Sequence, residues 1–512
     1  MKTRVVFKDE AREPIKRGID IACDAIKTTL GPKGRNAFID NQIAPKITND
    51  GVTIAESIHL EDELENMGAW LVKNTSAQTN EDAGDGTSTT AVLLQAIINE
   101  SLVRPESPMD IKRSLAETGK RVEAWIREMA KPVQDNQIEA VATISAESPT
   151  IGKLIADIIA KVGKHTPVYI EDNKFSEIEY DVVEGLETKV GFAHNMFITN
   201  AKEGTAEHEN IAVFATDRRI GSVPDIKVLL ELCDANKITS LVFLTSDMDN
   251  SVLGTFVVHK AQGHFNTLII KVRGNELEDM ASACGATLIS ESSGLKFQDV
   301  KLEHLGKAKR IRSTDKKTLI VGTGARMTKD AVSMLRIAAN NTKNIYEAKA
   351  LHKRADALEG GVAIIRVGAH TDSEREYLKF KIEDAVNATK SALEEGLVEG
   401  GGMCLFRIAN KIKGASIGDE ILKKALKAPL RAIIENAGVD YTDVIKHLSS
   451  SKGYNADTGK NVDMYKMGIV DPAKVTRCAF QNALSSASTF ITAEVAIASN
   501  LKESIINESQ RQ

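Results

Sequence analysis

Aromatic residues make up only 4% of this 512-residue chain, so its cores must be packed mainly from Ala, Ile, Leu and Val within a 42% hydrophobic content. Cysteine is scarce too. Cys23, Cys233, Cys284, Cys404 and Cys478 stand far apart, are odd in number and form no Cys-x-x-Cys pair. That excludes a disulfide framework and the usual zinc spacings, and it fits a reducing compartment. No apolar run approaches the roughly 20 residues that a bilayer-spanning helix needs. The start, Met1-Lys2-Thr3-Arg4, turns charged at once, without the apolar stretch of a secretory leader. Neither sign of charge dominates: 66 Lys and Arg against 71 Asp and Glu leave a net charge of −5. A nucleic-acid binder would show a basic stripe instead. The expectation is a soluble, cytoplasmic protein with no nucleic-acid or membrane partner.

What is present begins with Gly84-Asp85-Gly86-Thr87-Ser88-Thr89-Thr90, just before the apolar run 91–98. This reads as a loop opening onto a helix. Two glycines let the backbone approach a ligand, and the free amides of a helix start favour an anion. Asp85 would repel a bare phosphate. It makes sense there if a divalent cation lies between, because Mg²⁺ takes carboxylate and phosphate oxygens together. The Gly-Lys-Ser/Thr ending of a Walker loop is missing. An Asp-Gly turn followed by a Thr-rich helix cap would have the same letters.

A chain this long should divide into two to four domains at about 100–200 residues each. Helical spacing predicts helices over 15–30, 64–79, 89–102 and 109–129, with a break at Pro132. A helix over 150–162 and a short strand at 168–170 follow. Strand-like runs at 212–215, 241–244, 268–270 and 318–321 alternate with helical stretches, which suggests an α/β layer. After Gly361 a strand over 362–367 leads into helices to the end. Helical halves thus flank an α/β middle. Within the middle, Ile226, Leu229, Leu230 and Cys233 share one helical face, and Val252, Leu253, Phe256, Val257 and Val258 form a second short apolar helix. A helix apolar on more than one face is buried or presents a sticky surface.

Further segments stand in a fixed order. Thr29-Leu30-Gly31-Pro32-Lys33-Gly34-Arg35-Asn36 is followed by Asn49-Asp50-Gly51-Val52-Thr53, then by Leu60-Glu61-Asp62-Glu63-Leu64 and the Gly84 loop. Val183-Glu184-Gly185, Gly360-Gly361-Val362-Ala363, Ile382-Glu383-Asp384-Ala385, Gly400-Gly401-Gly402, Tyr454-Asn455-Ala456 and Asp471-Pro472-Ala473 come after. Taken together, nearly the whole chain resembles the group I chaperonins, the GroEL/Hsp60 family.

The resemblance implies a helical equatorial domain from both chain ends (1–132 and 395–512) that binds ATP. It implies a small intermediate α/β domain (133–184 and 361–394) and an inserted apical α/β domain (185–360). Gly185 and Gly361 match the hinges. For ATP it implies Thr29, Leu30, Gly31, Pro32, Asn49, Gly86, Thr87, Ser88, Thr89, Gly401, Asn455, Ala456 and Asp471, with Asp85 on Mg²⁺ and Asp50 near the γ-phosphate. Asp384 matches the water-activating carboxylate. Non-native polypeptides would bind Phe192, Met196, Phe197, Leu229, Leu230, Leu253, Val257 and Val258. The same surface would take a GroES/Hsp10-type lid. The subunits would form a homo-oligomeric ring, heptameric, single or double.

Four departures from the family pattern stand out. Asn49 replaces a lysine, which bears on K⁺ as a further ion. The segment Val272-Arg273-Gly274-Asn275-Glu276 is short. Val190 replaces an arginine that pairs between subunits. The end, 502–512, lacks a Gly/Met-rich tail. The expected activity is ATP-driven capture, encapsulation and release of non-native proteins. Two rivals remain: an ATP-binding ring scaffold that no longer folds clients, and a metabolic ATPase or kinase, for which no acceptor motif is found.

Overall fold

The computed structural model describes residues 3–40, 46–134, 137–163, 167–173, 175–183, 185–201, 204–322, 325–342, 344–449 and 451–499. Glu184 of the hinge motif and the tail 502–512 lie outside them. The chain divides into two compact units, Met1–Asp157 with Gly368–Gln512, and Ile158–Val367. A chain-end unit and a continuous middle unit therefore exist, as the alternation of helical and α/β patterns suggested.

The first unit is a helical bundle. Helix Lys8–Lys27 buries Ile19, Ala22, Cys23 and Ile26, spaced i, i+3, i+4 and i+7. Each of the two fully buried isoleucines stabilises by about 1.5–3 kcal/mol relative to exposure. It packs on Glu63–Ala83, while Thr87–Leu102 and Pro108–Met129 pack on Ala473–Thr492. All five cysteines are buried free thiols. The helical reading of the ends misses several short strands. Thr3–Phe7 pairs antiparallel with Val495–Ser499, Ala37–Ile39 with Lys46–Thr48, Leu397–Glu399 with Val470–Pro472, and Gly453–Asn455 with Lys460–Val462. Such strands are three to five residues long, too short for an alternation of side chains to reveal them, and the pairings of 3–7 with 495–499 and of 397–399 with 470–472 join distant segments.

The second unit is built on a six-stranded mixed sheet. Its order is Gly185–Thr188, Thr318–Gly322, Gly306–Ser313, Ala206–Thr216, Ser240–Thr245 and Asn266–Lys271. The last three run parallel, joined by the helices Lys227–Ala235 and Asn250–Ala261. Parallel strands covered by crossover helices read as continuous apolar runs, which is why these were legible. The core holds Phe214, Phe243 and Phe256, with Phe243 4.8 Å from Phe256 between ring centroids. A second sheet pairs Val362–Val367 parallel with Val168–Asp172 and antiparallel with Glu179–Val183. The short segment after Lys271 is a tight turn. Arg273 Nε donates to Ser246 O at 2.9 Å, and helix Asn275–Cys284 follows at once. Val190, where the family pattern has arginine, is half-buried against this core.

Candidate functional site

The loop singled out by the sequence is the junction of two helices in the first unit. Glu63–Ala83 ends at Gly84, at φ 73°, and Thr87–Leu102 starts after Gly86, at φ 93°. A Cβ at Gly84 would lie 2.2 Å from Cβ of Asn387, and one at Gly86 2.7 Å from Cγ1 of Val475. Conformation and space both require glycine. No side chain caps the start of the second helix, so its first amides point toward any ligand at the loop.

Two other segments converge there. Thr29 Oγ1 lies 3.1 Å from Ser88 Oγ. A Cβ at Gly51 would come within 2.6 Å of Thr87 Oγ1 and 2.9 Å of Ser88 Oγ. Thr29 and Thr87 are buried, and Ser88 and Thr89 are half-buried. Thr90 faces inward: its hydroxyl lies 2.9 Å from Gly86 O and 3.1 Å from Thr79 Oγ1. Asp50 caps helix Gly51–Ser57. Its carboxylate accepts from Val52 N at 3.2 Å, Thr53 N at 2.8 Å and Thr53 Oγ1 at 2.6 Å. The capping bonds fix its orientation beside the loop.

Asp384 lies on helix Asp372–Glu395. That helix is tied to the loop by Ser391 Oγ, which donates to Ala83 O at 2.8 Å. Asp85 accepts from its neighbour Gly86 N at 2.5 Å and from Ser145 Oγ at 3.3 Å. Burial raises the Asp85 carboxyl above the usual range, against the pull of these two bonds and of Lys381. Burial raises Asp384 further, and the charges of Asp85 and Asp50 add to it. Asp471 sits in the strand Val470–Pro472 and accepts from the Gly401 amide. Burial, then the charge of Asp85, pushes it up to about 7. The four aspartates are half-buried and feel one another.

The remaining motif residues gather on a neighbouring apolar cluster. Ala456 is part of it, and Leu30 packs against it. Gly31, at φ 88°, abuts Ile433, and Pro32 is exposed. Lys33 pairs with Asp457 at 2.9 Å, linking the 29–32 turn to the 455–457 loop. Asn455 Oδ1 accepts from Asp457 N at 2.9 Å and Thr458 N at 3.3 Å. Gly401 has φ 63°. Asn49 bonds to Glu147 at 3.3 and 3.4 Å.

Among the described residues no group of three or more His, Cys, Asp or Glu side chains could hold a metal by itself. Mg²⁺ keeps several waters and takes one or two carboxylates together with substrate phosphates. Asp85, beside uncapped amides and mutually repelling carboxylates, fits a cation that arrives with a nucleotide. Sequence reasoning missed Ser145, Glu147, Lys381 and Ser391. Lys381 had a signal, three residues before Asp384 and therefore its neighbour on the helix. Ser145 and Glu147 had none.

In the second unit the eight apolar residues separate. Phe192, Phe197, Leu229 and Leu253 are buried. Leu230 and Val257 are half-buried. Met196 is 54% exposed and Val258 52%. Lys260 Nζ donates to Phe197 O and lies 5.5 Å above the Phe197 ring. That fixes the turn Asn195–Phe197 to helix Asn250–Ala261.

One chain thus carries a helical unit with an uncapped, acid-rimmed helix start and an α/β unit bearing apolar helices. The model of the TCP-1/cpn60 chaperonin family matches residues 23–242 and 231–500. The chain belongs to that family. It is 39% identical over 519 residues to a chaperonin GroEL of Carsonella ruddii (strain PV), covering 97% of this chain and 98% of that protein. Among solved structures it is similar to the chaperonin gp146 from the bacteriophage EL 2 (Pseudomonas aeruginosa), crystallised in the presence of ATP-BeFx. The TM-scores are 0.74 and 0.68 for two crystal forms, at 20% identity, covering 97% of this chain and 99% of that one. This second likeness speaks to the fold, a mixed helical and α/β multidomain architecture.

Proposed function

We propose that this chain is an ATP-hydrolysing chaperonin subunit of the cytoplasm that captures non-native proteins and promotes their folding within a ring. The observation that carries the reading is the convergence of Thr29, Gly51, Asp85, Ser88 and Asp384 on the uncapped start of helix Thr87–Leu102. Bound Mg²⁺, which Asp85 would hold, would supply neutralisation of the charge that develops on the phosphates. The chain's own residues do the rest. The Thr87–Thr89 amides and hydroxyls hold phosphate oxygens. Asp85 holds the metal, and Asp50 rims the γ-phosphate side. Asp384, with its carboxyl raised toward a useful basicity, orients the attacking water. Gly401 leaves the backbone open to the ribose, whose hydroxyls Asp471 accepts. Leu30, Gly31, Pro32, Asn455 and Ala456 line the base, and Asn49 presents its carbonyl to K⁺.

The division into equatorial, intermediate and apical domains is part of the proposal. So are a heptameric ring and a GroES/Hsp10-type lid. The accessible client surface is Met196, Leu230, Val257 and Val258, while Phe192, Phe197, Leu229 and Leu253 shape it from below. Apolar surface exposed by an unfolded chain is worth about 25 cal/mol per Å² when buried, and repetition around a ring makes weak capture multivalent. Exposed Phe38, Val5, Phe7 and Ile497 on two short ribbons of the first unit supply apolar edges for assembly.

The test is refolding of a chemically denatured protein by the purified chain, with and without ATP and Mg²⁺, alongside electron micrographs. ATP-dependent recovery by rings supports the reading. Rings that bind ATP without recovering clients would favour the scaffold.

A further inference from the structure

Lys381 is, among the described residues, the only buried lysine or arginine. It stands three positions before Asp384 on helix Asp372–Glu395, so the two share a face. Its Nζ donates to Glu147 Oε1 at 3.0 Å. Asn49 Nδ2 donates to the same carboxylate at 3.3 Å and 3.4 Å. Glu147 ends helix Ile138–Ala146 at φ 52°, a left-handed position where Gly or Asn is favoured. The side chain at this strained position is the one that meets both Lys381 and Asn49. Two residues earlier, Ser145 holds Asp85. One short segment therefore grips the metal-side aspartate with Ser145 and the ammonium beside Asp384 with Glu147.

We propose that Lys381 is a positioning residue for ATP hydrolysis, its ammonium held by Glu147 so that the Asp384 helix stays registered against the Asp85 loop. The proposal rests on the nucleotide reading above. A buried ammonium among half-buried carboxylates is the cheapest way to keep them together before a nucleotide arrives, because unpaired buried charge is strongly unfavourable. Lysine here is a point charge on a flexible stem, so arginine should substitute in part.

Four variants test this by steady-state ATPase and by nucleotide binding, after electron microscopy has confirmed wild-type assembly. Lys381→Met should lower kcat about tenfold or more while KM for ATP moves less than about threefold, as expected of misplacement rather than lost binding. Lys381→Arg should stay within about threefold of wild-type kcat. Glu147→Gln should fall between them. The exchange Lys381→Glu with Glu147→Lys restores the ion pair but places a carboxylate beside Asp384, and should remain as slow as Lys381→Met. Wild-type kcat in Lys381→Met, or full recovery in the exchange, would overturn the proposal and leave the nucleotide reading standing. If Lys381→Met does not assemble, Lys381→Arg decides: a folded, tenfold slower arginine variant would overturn it as well. Absence of ATP binding by the unmodified protein would sink the nucleotide reading instead.

Discussion

The two compact units handle polarity in opposite ways. The second unit buries its parallel strands in an apolar core of Phe214, Phe243, Phe256 and aliphatic neighbours, and leaves Met196 and Val258 exposed at its surface. The first unit has an equally apolar interior of Ile, Leu and Ala, yet gathers four half-buried aspartates at one loop with Lys381 beside them. Apolar burial there stabilises the frame. The strained electrostatics are local, and in the proposed site a cation with its phosphates would relieve them. Clustered perturbed carboxyls are what the proposed nucleotide site rests on, and exposed apolar side chains are what the proposed client surface rests on.

The sharpest way to break this contrast is Asp384→Ala. ATP turnover should drop by about 10²–10⁴-fold, the scale of a lost general base, while ATP binding measured by calorimetry persists. Wild-type turnover would remove Asp384 from the chemistry. In the other unit Phe243→Ala should cost about 3–5 kcal/mol in urea unfolding and leave the ATP affinity of the folded protein unchanged. A smaller cost would mean that this core collapses around the cavity.

Asp471 gives a pH signature. Burial and the charge of Asp85 push its carboxyl up to about 7 in the folded protein, above the roughly 3.9 of an exposed aspartate. At acid pH below the lower value both states hold the proton and nothing is lost. As pH rises between the two values the unfolded chain ionises first, so the folded protein loses stability until pH passes about 7. Asp471→Asn should therefore raise stability at pH 8 by roughly 2–4 kcal/mol and change little at pH 4, read as unfolding midpoints without nucleotide. Equal effects at both pH values would assign the change to packing. The smallest expected effect is on the client side. Val257→Ser with Val258→Ser should weaken capture of an unfolded test protein by about 1–2 kcal/mol per site, with ATPase intact. Unchanged capture would place the binding surface elsewhere.

How legible each feature was follows from how local its cause is. The helix over 89–102 carries its own periodicity and the strands at 241–244 and 268–270 their own apolar runs, and the structure extends them by only a few residues. The Gly84–Thr90 loop announced itself through glycines that two helix ends require. The tie from Glu147 to Lys381 joins residues far apart in the chain, and a lone glutamate after a helix signals nothing. Burial of Leu229 and Leu253 was hidden for a related reason: an apolar helix reads the same whether it covers a sheet or lines a groove, and only the crossover geometry decides.

The ribbon between Thr3–Phe7 and Val495–Ser499 has a consequence for synthesis. The middle unit is continuous and is free to fold while the ribosome is still working, since domains generally fold as units from the N-terminal side. The first unit has to wait for Val495–Ser499 to emerge before its first strand finds a partner. A chain cut short before that point would carry a finished middle unit and an open first unit, its earliest strand still waiting for the segment that closes the bundle.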